Sequence, residues 1–182
     1  MLWAASKLFE ESQVTCFLAL ASEKYRNLVE NILAECSLKW KVPKVIITYG
    51  QTYQTIVDSR LVFVTSGTAT LETALLQRPM VVFYRVPKLH RWLVKNTSFL
   101  KCKYIALPNI ICGKEIVPEN VFSEENDKDV LESAIKLWKD SAEREDCFKN
   151  LEEMRKKLGE PGAAKRTAMA IVNVINNSKK SW

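Results

Sequence analysis

Thr65-Ser66-Gly67-Thr68 sets short hydroxyl residues around one glycine, and a single acid, Glu72, follows in the next turn of chain. Gly67 lets a backbone approach closely, and Ser66 and Thr68 add short donors. If the stretch is a strand–turn–helix, the start of the helix offers unpaired N–H groups and a partial positive charge. Such a turn suits an anion, a diphosphate in particular. With Thr68 as the helix cap, Glu72 falls ~40° round the helix from it, and its side chain tilts back toward the turn. A carboxylate repels phosphate, so its partner is a pair of donors, such as the ribose diol of a nucleotide. A capped helix with an ordinary surface glutamate is the alternative. The turn matches neither a GxGxxG fingerprint nor a GxxxxGK[ST] phosphate loop. No GxSxG elbow surrounds Ser66, and His90 is the sole histidine, which disfavours a serine hydrolase and a His-rich metal site.

The surrounding pattern supplies the elements that would hold this turn. Short apolar runs at Val14–Ala19, Val45–Thr48, Leu61–Val64 and Met80–Tyr84 read as buried strands, with Lys103–Leu107 a weaker one. Helical spacing over Leu2–Glu11, from Tyr25 to Cys36, over Gln51–Asp58 and over Thr68–Gln77 alternates with them. Continuous apolar strands in βαβα order argue for a parallel sheet covered on both faces. The expected class is therefore α/β, with a Rossmann-like parallel sheet. Doubly wound sheets usually open on a strand, whereas this sequence opens on a helix, so the sheet is expected to lack its first strand. Three amphipathic stripes close the chain: Val130, Leu131, Ala134, Ile135 and Trp138; Cys147, Leu151, Met154 and Leu158; and Ala164, Ala168, Ile171, Val172 and Ile175. One domain over residues 1–178 is expected, with 179–182 a disordered tail.

The 182 residues, 47% hydrophobic and 26% charged, fit a globular domain with a real core. No apolar run reaches the ~20 residues of a membrane span. Five cysteines without a CxxC pair read as free thiols of a reducing compartment. The net charge of +6 is unevenly placed: no acid occurs from Thr73 to Lys114, while that stretch holds Arg78, Arg85, Lys88, Arg91, Lys95, Lys101, Lys103 and Lys114. Such a field suits an anionic ligand, an anionic membrane or nucleic acid, with a solvated basic surface as the alternative. Within it, Leu89, Trp92 and Leu93 share one helical face and Lys88, Arg91 and Lys95 another, the pattern of a basic amphipathic helix facing an anionic membrane. The alternative is that the three apolar residues belong to the core.

Two blocks, "SGTATLETALLQRPMVVFYRV" and "YIALPNIICGKEIVPENVF", resemble the C-terminal half of the lipid-A-disaccharide synthase family. The first is shared with related nucleotide-sugar transferases; the second is the more specific. The resemblance runs from about Val14 to Ile175. It implies the C-terminal domain of a GT-B glycosyltransferase, an inverting, UDP-dependent enzyme that uses no metal and no cofactor. The reaction implied moves 2,3-diacylglucosamine from its UDP derivative onto 2,3-diacylglucosamine 1-phosphate, giving the β-1,6 lipid A disaccharide precursor. By resemblance Ser66, Gly67 and Thr68 hold the diphosphate and Glu72 the ribose. Asn109, Gly113, Lys114 and Glu115 complete the substrate pocket, and Arg85 meets phosphate or acceptor charge. No residue of this chain is assigned as catalytic base; the family's base is expected in an N-terminal domain absent here, and the isolated chain is expected to be inactive. Lys114 stands where arginine is frequent, keeping the charge but not the bidentate fork. The implied setting is cytoplasmic, peripheral on the inner membrane, with the chain a homo-oligomer and no nucleic acid bound. Another UDP-N-acetylglucosamine enzyme of the same fold, or a non-catalytic nucleotide-binding module, are the alternatives. Dependence on acyl chains discriminates the first, and restored turnover with an N-terminal half the second.

Overall fold

Met80, Val81, Val82 and Phe83 are all buried, which only a strand covered on both faces achieves. Each such side chain taken out of water contributes roughly 1.5–3 kcal/mol. The computed structural model describes residues 1–65, 67–85, 103–122 and 127–178. Its helices are α1 (Leu2–Ser12), α2 (Arg26–Ser37), α3 (Thr52–Asp58), α4 (Thr68–Leu75), α5 (Leu107–Cys112), α6 (Asp127–Trp138), α7 (Ala142–Leu158) and α8 (Ala163–Ser178). Its strands are β1 (Cys16–Leu20), β2 (Val45–Tyr49), β3 (Val62–Thr65), β4 (Met80–Arg85) and β5 (Glu119–Phe122).

All strand pairs are parallel. β4 is the middle of a three-stranded sheet in the order β3-β4-β5, with Val62 opposite Met80 and Val82 opposite Glu119. β1 and β2 form a second sheet, with Cys16 opposite Val45 and Leu20 opposite Tyr49. Helix α4 lies on β3 and β4 and packs against α5 and α7, while α6 lies on β4 and β5 and packs against α1. One core joins them: Ala4 and Leu8 of α1, Val64, Val81, Val130, Ala134, Leu151 and Met154. The chain is thus α/β, with Rossmann-like parallel strands and C-terminal helices.

Local chemistry explains the helix ends. The Ser141 side chain accepts a hydrogen bond from the Arg144 amide at the start of α7. Glu143 and Glu145 occupy its first turn and Arg155, Lys156 and Lys157 its last, each sign matching the helix dipole. The described cysteines, Cys16, Cys36, Cys112 and Cys147, are free. Burial pushes the Cys147 thiol up to about 11, so it stays protonated.

One sequence expectation needs correction. Lys103–Leu107 is not a strand: a loop leads into α5, which opens at Leu107 with Pro108 in its first turn. The fifth strand is instead Glu119–Phe122, a stretch too short and too polar at its start to show an apolar run. The closing stripe lies at the surface and not in the core. Residues 163–177 are exposed throughout, Met169 at 57% and Ile171 at 55%. The expected tail, 179–182, lies outside the described residues.

Candidate functional site

In parallel α/β sheets ligands bind beyond the carboxyl ends of the strands. At that edge β3 ends on Thr65, and Gly67 is the N-cap of α4 with φ 134° and ψ −164°. This region of backbone space is open essentially to glycine alone. Among the described residues a Cβ on Gly67 would meet nothing within 4 Å, so conformation rather than crowding demands glycine. The helix has no side-chain cap, so no cap takes its first N–H groups. Gly67 takes the capping position that the sequence pattern gave to Thr68.

The hydroxyls divide into two sets. Thr70 and Thr73 are buried, and they donate to the carbonyls of Gly67 (2.7 Å) and Ala69 (2.8 Å), tying the helix to its own turn. Thr68 is exposed at the helix start. Ser66 lies outside the described residues.

Glu72 lines a cleft of about 480 Å³ together with Gly50, Gln51, Thr52, Tyr53 and Gln54. These five residues follow the carboxyl end of β2, where Gly50 turns the chain with φ 72°. The lining carries one acid and no base. It therefore suits neutral groups rich in donors, a sugar diol or a nucleobase, rather than phosphate. The 50–54 wall was not singled out from the sequence; the glycine directly after a strand run is the signal that could have found it. Arg85 is the last residue of β4, opposite Phe122, and two positions beyond the level of Thr65. Its backbone thus stands at the same edge as the turn.

The second block of the sequence behaves differently. Asn109 is fully buried. Its amide nitrogen donates to the Val117 carbonyl (2.8 Å) and to Glu119 (2.7 Å), and its oxygen accepts from the amides of Ile116 (2.7 Å) and Val117 (3.0 Å). That exhausts the capacity of a side-chain amide, so Asn109 braces the loop into β5 and has no group left for a ligand. Glu119 completes the brace by accepting from the amides of Ile105 (2.8 Å) and Ala106 (2.9 Å) at the start of α5. Glu119 was not among the candidate residues.

Gly113 is the left-handed C-cap of α5, φ 68°. The contacts of α5 run back along β5, from Ala106 with Glu119 to Asn109 with Val117 and Ile116, so Gly113, Lys114 and Glu115 lie toward the amino end of that strand, at the opposite edge of the sheet. There the Lys114 ammonium donates to Asn150 (2.7 Å) and lies 3.5 Å from Glu153, both on α7. Glu115 lines a separate cavity with Lys136 and Asp146. The structure therefore brings Gly67, Thr68, Glu72 and Arg85 to one edge, and it does not bring Asn109, Gly113, Lys114 or Glu115 to them. Leu89, Trp92 and Leu93 lie outside the described residues. Among the described residues, no group of three His, Cys, Asp or Glu side chains is placed to hold a metal.

Comparison with known proteins points one way. A family model described as lipid-A-disaccharide synthetase matches residues 3–174. A protein of Myxococcus xanthus (strain DK1622) named lipid-A-disaccharide synthase is 35% identical over 130 residues, 71% of this chain and 33% of the relative. One of Chromobacterium violaceum with the same name is 39% identical over 126 residues, 69% of this chain and 32% of the relative. One of Sulfurihydrogenibium sp. (strain YO3AOP1), again with that name, is 29% identical over 164 residues, 84% of this chain and 41% of the relative. The chain spans about a third of the length of the first two.

Proposed function

The chain belongs to the lipid-A-disaccharide synthetase family, and from that premise we propose that it forms the donor-binding part of a UDP-dependent glycosyltransferase. The whole enzyme would transfer 2,3-diacylglucosamine from UDP to the 6-hydroxyl of 2,3-diacylglucosamine 1-phosphate. One observation carries the assignment to this chain. The glycine-capped start of α4 and the cleft beneath Glu72 lie together at the carboxyl edge of the strands. The diphosphate sits against the first N–H groups of α4, with Ser66 and Thr68 beside it. The ribose diol donates to Glu72, and the base lies along Gly50–Gln54. As the acceptor oxygen bonds to the donor's C1, the bond from C1 to the diphosphate oxygen breaks and negative charge grows on UDP. The dipole of α4 stabilises that charge. Arg85, at the same edge, is the cation of this chain suited to the departing phosphate or to the acceptor's own.

No general base is assigned on this chain; the base and the facing wall of the cleft belong to the N-terminal domain of the enzyme. The purified 182-residue chain, given both acylated sugars, is therefore expected to form no disaccharide. Turnover by the chain alone contradicts this division of labour.

Two further parts of the reading concern surfaces. The closing stripe Ala164, Ala168, Ile171, Val172 and Ile175 of α8 is exposed, and apolar surface of that kind drives self-association. The chain is expected to dimerise or oligomerise with rising concentration; light scattering showing a monomer throughout contradicts it. The basic amphipathic stretch 87–103 is proposed to hold the enzyme on the cytoplasmic face of the inner membrane. Among the described residues no helix is long and apolar enough to cross a membrane. Each Lys or Arg near an anionic surface contributes about 1 kcal/mol. The chain is expected to sediment with anionic vesicles, to be released by high salt and to ignore neutral vesicles. Equal binding to both kinds removes the electrostatic reading.

A further inference from the structure

Three arginines meet at the amino edge of the three-stranded sheet, opposite the edge that holds Gly67. Arg60 and Arg78 stand just ahead of β3 and β4, and Arg144 lies in the first turn of α7. Three contacts bring them to one corner. The Arg144 guanidinium donates to the Arg60 carbonyl (3.1 Å). The Val62 amide donates to the Pro79 carbonyl (3.0 Å), which sets the start of β4 beside that of β3. One turn further along α7, the Cys147 thiol hydrogen-bonds with the backbone of Met80.

Two of the three guanidiniums are held by protein groups. Arg60 donates to the Trp138 carbonyl and to Asp140, both at 2.7 Å, and lies over the Trp138 ring. Arg144 is buried; it also donates to the Leu137 carbonyl, lies over the Phe148 ring and is 3.9 Å from Asp140. Arg78 differs. Among the described residues nothing accepts a hydrogen bond from its side chain, and its Nε is buried without a partner. Arg60 and Arg144 share one carboxylate, Asp140, which is 87% exposed. Burial and then Arg60 hold the Arg144 guanidinium below its usual range; Asp140 opposes them and Arg78 adds to them. A buried donor without a partner is costly, and like charges gathered at one corner repel each other. A single anion relieves both.

We propose that Arg78, with Arg144 and Arg60 beside it, forms a binding site for one phosphate group, separate from the donor edge. The guanidinium fork matches the spacing of phosphate oxygens. The carbonyls and rings that hold Arg60 and Arg144 fix those two cations in advance, so binding orders only Arg78. Asp140 competes with the anion for the same charges. The phosphate belongs either to a free ion or to a lipid headgroup, and the two sources are separable by experiment.

Inorganic phosphate is titrated into the isotope-labelled whole chain at constant ionic strength, with chloride as the balancing ion. NMR follows the Nε–H signals of Arg78 and Arg144 beside the amides of Thr68 and Ala69. The arginine signals are expected to shift together and to saturate. In Arg78→Gln the response at Arg144 is expected to need about tenfold more phosphate or worse, one charge-assisted bond being lost. In Asp140→Asn binding is expected to tighten about two- to fivefold, the range of an exposed ion pair. Phosphate also suits the start of α4, and the Thr68 and Ala69 amides report that site by themselves. Arg78→Gln is expected to leave their response unchanged, so failure at either edge says nothing against the other. Vesicles containing phosphatidic acid form the second arm: loss of the Arg78 signal with them and no shift with free phosphate assigns the site to a lipid headgroup. No response at Arg78 to either probe overturns the proposal. So does an undiminished response at Arg144 in Arg78→Gln, or weaker binding in Asp140→Asn.

Discussion

Replacing Asn109 by alanine is expected to destabilise the chain by roughly 3 kcal/mol or more, each buried polar group left without a partner costing about 1–3 kcal/mol. The substitution strands the amides of Ile116 and Val117 and the Val117 carbonyl, while the Glu119 oxygen keeps the Ala106 amide. A domain with a total stability of about 5–15 kcal/mol would lose much of it. Urea unfolding reads the change directly. Lys114→Ala, five positions on in the same block, is the control. Its ammonium is held by exposed partners on α7, and exposed pairs are worth about 0–1 kcal/mol. If Asn109→Ala unfolds within about 1 kcal/mol of the parent, the brace is not what the geometry says it is.

Glu72→Ala is expected to weaken UDP binding about tenfold or more, because a hydrogen bond to a charged group is worth roughly 1.5–3 kcal/mol. Pyrophosphate binding should change little, since the helix start and not the carboxylate holds the diphosphate. Removing a negative charge could even strengthen pyrophosphate slightly. An equal loss for both ligands would place Glu72 on the phosphates and end the ribose assignment.

Periodicity and composition were enough for the strands that bury both faces and for the helices between them, because a run such as Met80–Phe83 has few other ways to leave water. They misplaced the fifth strand. Tyr104-Ile105-Ala106-Leu107 has a strand's composition, but Glu119 captures the Ile105 and Ala106 amides, and that contact is between residues far apart in sequence. The turn at Gly67 and the helix carrying Glu72 were legible because a strand–turn–helix is a local feature, but the cap fell to Thr68 in the sequence and is Gly67 in the structure. Asn109 was legible as special but not as a brace: a side-chain amide reads the same whether its partners are ligand or backbone. Lys114 and Glu115 stand next to a glycine that ends a helix, and only the direction of α5 shows which edge they reach. The Gly50–Gln54 wall meets Glu72 through folding alone.

Calorimetric titration of the folded chain with UDP, set beside ADP and GDP, tests the central claim most directly. The account predicts weak binding of UDP, tighter than that of ADP or GDP, and lost on replacing Glu72. No heat with UDP up to millimolar concentration, on protein shown to be folded, would contradict it.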